Sequence, residues 1–316
     1  MEANNVMVSV YCLAFNHEKY IRSALDGFVS QKTNFPYEVF VHDDASTDGT
    51  AAIIREYARK YPAIIKPILQ QENQYSQGIK IMHTHILPRM SGKYIACCEG
   101  DDYWCDPDKL QMQVDFMENH PEYAACVHNT LRKDMADGSE RPLFGEESYT
   151  ITPEHTITRG SAAYQTSSLL YRRELAFERP AFVTAVKGLG DYPQAIYLSL
   201  MGKIHYIPKV MSVYRANAAG SWTRRVEADP AKLAKVNENI MKMLQMADEF
   251  SGGRYHENFC HARERCEYKI LKATGKFRQA VKHPLYHKAP ASERCKLALL
   301  SVFPWLQTVK RHMKKG

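Results

Sequence analysis

The stretch SGKYIACCEGDDYWCDPDKL, residues 91–110, drives an apolar run straight into Glu99, Gly100, Asp101 and Asp102. Ionised carboxylates crowded at the end of a buried strand repel one another and lose hydration. Two arrangements relieve that cost: a solvated acidic turn, or a cation or cation-bearing ligand seated among the acids. The donors are all oxygen, which suits Mg²⁺ or Mn²⁺ and suits a closed zinc site poorly. Such ions take one or two carboxylates and complete their shell with water and phosphate oxygens. A diphosphate-bearing substrate therefore fits this stretch.

A second acidic cluster, Asp43 and Asp44, closes the apolar run in YEVFVHDDASTDGT. Asp and Ser are also good turn and N-cap residues. A carboxylate there can equally accept N–H groups of a nucleobase. A third acid, Asp191, sits near the start of the helical pattern GLGDYPQAIYLSLMG, where the helix dipole favours a negative charge in any case.

The elements that must position these residues alternate along the first 130 positions. VMVSVYCL reads as a strand, and EKYIRSALDGFVSQK as a helix with Ile21, Leu25, Phe28 and Val29 on one face. YEVFVHDDAS is a second strand, and STDGTAAIIREYARKYP a capped helix stopped by Pro62. AIIKPIL is a third strand, placed at an edge by Pro67. SQGIKIMHTHILPRMSG reads as helical to about Leu87, and KYIACC as the fourth strand. PDKLQMQVDFMENHP is a helix with Pro107 near its first turn and Leu110, Val114 and Met117 inward; YAACVH is a fifth strand. The alternation predicts an α/β fold with a mostly parallel sheet sandwiched by helices. Ligands of such sheets bind outside the carboxyl ends of the strands, where both acidic clusters fall. Residues 131–165 read as loop, KIHYIPKVMSVYR as one or two strands, and the chain from Pro230 as mostly helical over 230–250, 255–274 and 276–283 with a tail after Pro290.

Taken in order, VSVYCLAFNHEKYIRSALDGFVSQ, YEVFVHDDASTDGT and GKYIACCEGDDYWCDPDKLQMQ resemble the family 2 glycosyltransferases of the GT-A fold. The resemblance extends through QTSSLLYRREL, GLGDYPQAIYLSL and VYRANAAGSW, so it covers about residues 6–225. It implies a Rossmann-like GT-A catalytic domain over 1–226, followed by a helical extension over 227–316. It implies that Asp44 contacts the base of a nucleoside diphosphate sugar, uridine being the expected nucleoside, with Asn16 and nearby backbone shaping the pocket. Asp102 would bind Mn²⁺ or Mg²⁺, with Glu99 and Asp101 holding ribose or metal-bound water. Asp191 would be the catalytic base of an inverting transfer, and Arg215, Ser221 and Trp222 would fold over the diphosphate. The sequence departs from the family in three places: Glu99 stands where many members have Asp, His83-Thr84 stand in place of an Arg-Asn pair, and Asn217 stands where His is frequent.

The bulk numbers admit this reading. The chain has 316 residues, 45% hydrophobic and 24% charged, ordinary for a globular protein. No apolar run reaches the roughly 20 residues of a membrane span, and the start lacks the pattern of a secretion signal. Eight cysteines without a CxxC pair read as reduced thiols of a cytoplasmic protein. Charge is divided: 14 Lys and Arg against 22 Asp and Glu in residues 1–150, and 28 against 13 afterwards. The basic half could meet nucleic acid, anionic lipid or a phosphorylated substrate; the reading adopted has no nucleic-acid partner. SERCKLALLSVFPWLQTVKRHMKKG pairs apolar bulk with Arg294, Lys296, Lys310, Arg311, Lys314 and Lys315. That combination suits a helix lying on an anionic leaflet at the inner face of the cell membrane, where a saccharide or lipid-linked acceptor would be met. Docking on protein is the other reading.

HENFCHARERC gathers His256, Cys260, His261 and Cys266, but the Cys spacing is not that of one helix face, so it reads as plain helix. Two other functions remain: a non-catalytic nucleotide or glycan binder, and a sugar nucleotidyltransferase. The latter needs a Gly-rich basic loop after the first strand, where this chain has AFNHEKY. A glycosidase would work with paired carboxylates and no metal.

Overall fold

Burial along Val8–Ala14 (β1) is nearly continuous, with Val8, Ser9, Val10, Cys12 and Ala14 all buried, and fits a strand at the centre of a sheet covered on both faces. The computed structural model describes residues 6–186, 189–218, 226–303 and 305. The chain divides into two compact units, 1–179 with 195–219, and 180–194 with 220–316.

The first unit is built on one ten-stranded sheet. After β1 come helix α1 (Ile21–Val29), β2 (Tyr37–Asp43), α2 (Thr50–Lys60), β3 (Ile65–Leu69), β4 (Tyr94–Cys97) and β5 (Tyr103–Trp104). They are followed by α3 (Lys109–Asn119), β6 (Tyr123–Asp134), β7 (Glu140–Pro142), β8 (Tyr149–Ile151), α4 (Pro153–Arg159) and β9 (Leu170–Arg172). Strand β10 (Lys203–Ala216) closes the unit. The order is β3-β2-β1-β4-β9-β6-β10-β5, with β7 beside β6 and β8 beside β10. β1, β2, β3 and β4 pair in parallel, as do β6 and β10; β9, β5, β7 and β8 pair antiparallel. The sheet is thus mixed beyond its parallel half.

The chain leaves β1 towards β2 and β3 on one side and returns to β4 on the other. That makes the carboxyl ends of β1 and β4 a topological switch point, where α/β sheets open a crevice. β3 is the edge, as Pro67 requires. Ile21, Leu25 and Phe28 of α1 share one buried cluster with Val8, Val10 and Cys12 of β1, and Phe28 meets Trp104 edge-on at 4.9 Å. Leu110, Val114 and Met117 of α3 are buried as their spacing predicts.

Three readings change. The stretch 131–165 is not loop: β6 runs on to Asp134, and β7, β8 and α4 follow. The two short strands exist only by pairing with β6 and β10, a long-range cause that no local pattern carries. Helix α4 did have a local signal, since Thr152 caps His155 N and Pro153 takes the first turn. Between 75 and 89 only a π-helical turn, Met82–Ile86, and a short 3₁₀ turn, Leu87–Arg89, form. Pro107 lies ahead of α3, which begins at Lys109.

In the second unit, Ala181–Thr184 (α5) sets Phe182 against Phe250 at 5.4 Å. The long helix Pro230–Phe250 is capped by Asp229, whose carboxylate accepts from Ala231 N and Lys232 N. It packs on the helix His256–Ala273 across a turn that holds Gly252 and Gly253 at positive φ. Phe277–Ala280, Pro284–Lys288 and Ala291–Val302 follow, around Tyr268, Phe277, Leu297 and Leu300. The last helix occupies part of the expected tail.

Candidate active site

The turn after β1 and the acidic turn after β2 are locked together. Asn16 takes φ +56 and Ala45 φ +59, both left-handed. Asn enters that region more readily than most residues, and here Asn16 Oδ1 accepts from Thr47 N, 31 residues on, at 2.8 Å. Asn16 N donates to Ser46 Oγ, His17 N to Thr50 Oγ1, and Glu18 N to Asp48 Oδ2. Asp43 holds Ser46 through its hydroxyl and backbone N–H. Although burial pushes the other way, the donors from Thr50 and Glu18 hold the Asp48 carboxyl below its usual range.

Asp44 is 4% exposed and accepts from Gln74 N at 2.7 Å and Tyr75 N at 3.1 Å. It fastens the segment after β3 over the end of β2. Each carboxylate oxygen keeps a further lone pair for a ligand N–H. Beside it, His42 is fully buried, 3.2 Å from Gln70 Nε2 and stacked on His85 at 5.7 Å. Burial pulls its imidazole below the ordinary value against the opposing pull of Asp44. No local sequence pattern marks this pair, which joins side chains on either side of β3 in the chain order.

The acid loop continues β4 along β1: Cys98 N bonds Tyr11 O and Gly100 N bonds Leu13 O. A Cβ on Gly100 would lie 2.8 Å from His17 Nδ1 and 2.9 Å from Ile21 Cδ1, so only Gly lets the loop approach the Asn16 turn this closely. Glu99 is exposed, Asp101 half-buried and Asp102 buried. Asp102 Oδ1 accepts from Arg215 N at 2.9 Å. Burial, then the Asp101 charge, push the Asp102 carboxyl well above the usual carboxylate range, against the opposing Arg215 and Gln165 contacts.

Arg215 comes from the end of β10. Its Nη1 donates to Asp101 O at 2.6 Å, and its guanidinium lies 4.4 Å from the Tyr103 ring and 5.3 Å from the Tyr20 ring. A cation packed against aromatic faces is held in place, and a guanidinium carries five N–H donors with which to meet an anion. Under the loop, buried Lys109 donates to Gln113 Oε1 at 2.7 Å and lies 4.0 Å from the Trp104 ring; burial pulls its ammonium down to about 8. Trp104 Nε1 donates to Ser167 O. This buried brace, invisible in the motif reading, fixes the loop from below.

Among the described residues no group of three or more His, Cys, Asp or Glu gathers as a metal would need. Glu99, Asp101 and Asp102 therefore do not form a protein-made cage. A buried carboxylate beside a second acid does fit an ion that draws its remaining ligands from water and diphosphate. Asn217, at the position where His is frequent, donates to both carboxylate oxygens of Asp134 at 2.9 Å.

The first unit thus brings together Asn16, Asp44, Glu99, Asp101, Asp102 and Arg215 at the ends of β1, β2, β4 and β10. Asp191 opens helix α6 (Asp191–Met201) and belongs to the second unit, while the body of that helix is counted with the first. Ser221 and Trp222 lie outside the described residues.

A mixed sheet with acids at its switch point defines a GT-A type α/β fold. The Pyrobaculum calidifontis mannosyltransferase PcManGT, solved with GDP-Man and Mn²⁺, matches it at a TM-score of 0.58 and 19% identity, over 98% of this chain and 83% of that one. Residues 9–178 match the model of glycosyl transferase family 2, and the chain belongs to that family. An uncharacterised Mycobacterium tuberculosis protein is 39% identical over 216 residues, 68% of this chain and 60% of its own length. The chain thus spans about 60% of the length of the first curated relatives it matches. The Escherichia coli UDP-Glc:α-D-GlcNAc-diphosphoundecaprenol β-1,3-glucosyltransferase WfaP is 30% identical over 129 residues, 41% of this chain and 48% of that enzyme.

Proposed function

We propose that the protein transfers a sugar from a nucleoside diphosphate sugar, with uridine the nucleoside, to a hydroxyl of a saccharide or lipid-linked acceptor, inverting the anomeric centre, in the synthesis of a cell-surface polysaccharide. The observation that carries this is Asp102, buried at the end of β4 beside Asp101 and bonded to Arg215 N. Mn²⁺ or Mg²⁺ held by Asp102, with Glu99 and Asp101 near its water shell, supplies charge neutralisation for a departing diphosphate when bound. The Arg215 guanidinium faces the same charge. Asp44 and the backbone around Asn16 orient the base. Asp191 takes the acceptor's proton as its oxygen attacks, with Ser221 and Trp222 closing over the diphosphate. A single displacement inverts the centre without a covalent enzyme intermediate. PcManGT with GDP-Man and Mn²⁺, and the UDP-Glc donor and diphosphoundecaprenol acceptor in the WfaP name, support donor, metal and acceptor class in turn.

We assign the transferase to residues 1–226 and the helical extension to 227–316. We place the protein in the cytoplasm at the inner face of the membrane. Among the described residues no helix is long and apolar enough to cross a bilayer. Leu299, Val302, Phe303 and Trp305 are 45–62% exposed next to a sequence rich in Lys and Arg, which supports contact with an anionic surface.

The test is thermal unfolding with a panel of nucleotide sugars, with and without Mn²⁺. The true donor raises the melting temperature when the ion is present. Asp191→Asn keeps that shift and lowers turnover by about 10²–10⁴-fold. A donor shift indifferent to Mn²⁺ overturns the metal role; full turnover in Asp191→Asn overturns the base.

A further inference from the structure

The second unit holds a cluster that the transfer chemistry does not use. The turn at Gly252 and Gly253 folds the helix His256–Ala273 back on the helix Pro230–Phe250, and so brings Asp248 to His256. His256 Nδ1 lies 2.6 Å from Asp248 Oδ2. One turn along, Cys260 Sγ lies 3.4 Å from His256 Nε2. Arg263 Nη2 donates to the same sulfur at 3.4 Å. Cys260 is half-buried, His256 exposed and Asp248 only 8% exposed.

A carboxylate at Nδ1 accepts the N–H of that nitrogen and leaves Nε2 with its lone pair aimed at the thiol. This is the order of nucleophile, base and orienting acid that activates a cysteine. The Asp248–His256 bond alone would serve to close the helical hairpin. The sulfur contacts of His256 and Arg263 add what closure does not require. Asp248 Oδ1 is also buried without a hydrogen-bond partner among the described residues, so the compensation of that carboxylate falls on its His256 side.

We propose that Cys260 is a reactive thiol, a modification site that takes a low-molecular-weight disulfide, with His256 as its base and Asp248 as the group that orients the imidazole. The sulfur attacks one sulfur of the disulfide; a new S–S bond to Cys260 forms as the old S–S bond breaks. The departing thiolate leaves with the electron pair of the broken bond. His256 Nε2 takes the proton from Cys260 and returns it to that leaving thiolate, while Arg263 stabilises negative charge on sulfur. One thiol and one disulfide give one mixed disulfide and one thiol, with no other oxidant.

The test uses the full chain, free of lipid, with limiting 2,2′-dithiodipyridine at neutral pH, acid quench, alkylation and peptide mapping. Cys105 and Cys295, both exposed, are the internal references. Cys260 is expected to react about tenfold faster than either, a modest return for a positioned base on an open helix surface. His256→Gln and Asp248→Asn bring its rate down to theirs and leave the references unchanged. A Cys260 rate within about twofold of Cys295 in the wild-type chain overturns the proposal whether or not the variants fold, and so does an unchanged rate in His256→Gln.

Discussion

The turns after β1 and β2 and the loop after β4 stand side by side and treat their carboxylates in opposite ways. Around Asn16 the acids are answered by donors of the fold, some adjacent and some about 30 residues away: Asp43 by Ser46, Asp48 by Thr50 and Glu18, and Asp44 by Gln74 and Tyr75. In the other loop Asp102 is buried beside Asp101 and held mainly by one backbone N–H of Arg215. The first arrangement is finished by the fold itself. The second is left under-compensated, as a site is when its counter-charge arrives with the ligand.

Asp102→Asn should break this contrast most severely. Transfer is expected to fall by about 10²–10³-fold, measured as initial rate at saturating donor. The same change should stabilise the metal-free protein. A carboxyl raised in the folded state keeps its proton there after the unfolded chain has lost its own, above about pH 4. Folded molecules then bind the extra proton, so stability falls as pH rises through that window towards the raised value. The gain from Asp102→Asn should therefore grow from near zero at pH 4 to its largest at neutral and mildly alkaline pH, read as the melting temperature against pH without metal. A gain that is largest at acid pH contradicts the sign.

A middling effect is expected on the other side. Asn16→Ala removes the acceptor of Thr47 N and puts alanine, which enters the left-handed region less readily than Asn, at φ +56. The cost is about 2 kcal/mol of stability in denaturant titration. Asn16→Gly relieves the backbone part and should recover roughly half. Equal losses for the two would assign the whole effect to the hydrogen bond. The smallest effect belongs to Arg22→Ala: its bidentate pair with Glu56 joins α1 to α2 behind the same turns, but both side chains are half exposed. Exposed pairs contribute little, so a marginal change in melting temperature, near the scatter of the measurement, is expected.

What the sequence made legible follows the same divide. Acids at strand ends, the edge strand marked by Pro67 and the inward face of α3 are short-range patterns, and they stand in the structure. The β7 and β8 strands, the His42–His85 stack and the Trp104–Ser167 bond above the Lys109 brace depend on partners far along the chain. Asp248, His256 and Cys260 show the boundary case. The i, i+4 spacing of the last two is readable, but the acid enters only because a turn with two left-handed glycines reverses the helix. Neither Asp102's burial nor the engagement of Asn217 with Asp134 has any local signature.

Arg215 touches Asp102 with its main chain and reaches Asp101 and the two tyrosines with its side chain. Of the proteinogenic residues, proline alone lacks the amide hydrogen that Asp102 uses. Position 215 can therefore be saturated with eighteen other side chains, roughly the whole genetic alphabet, while the acid stays anchored.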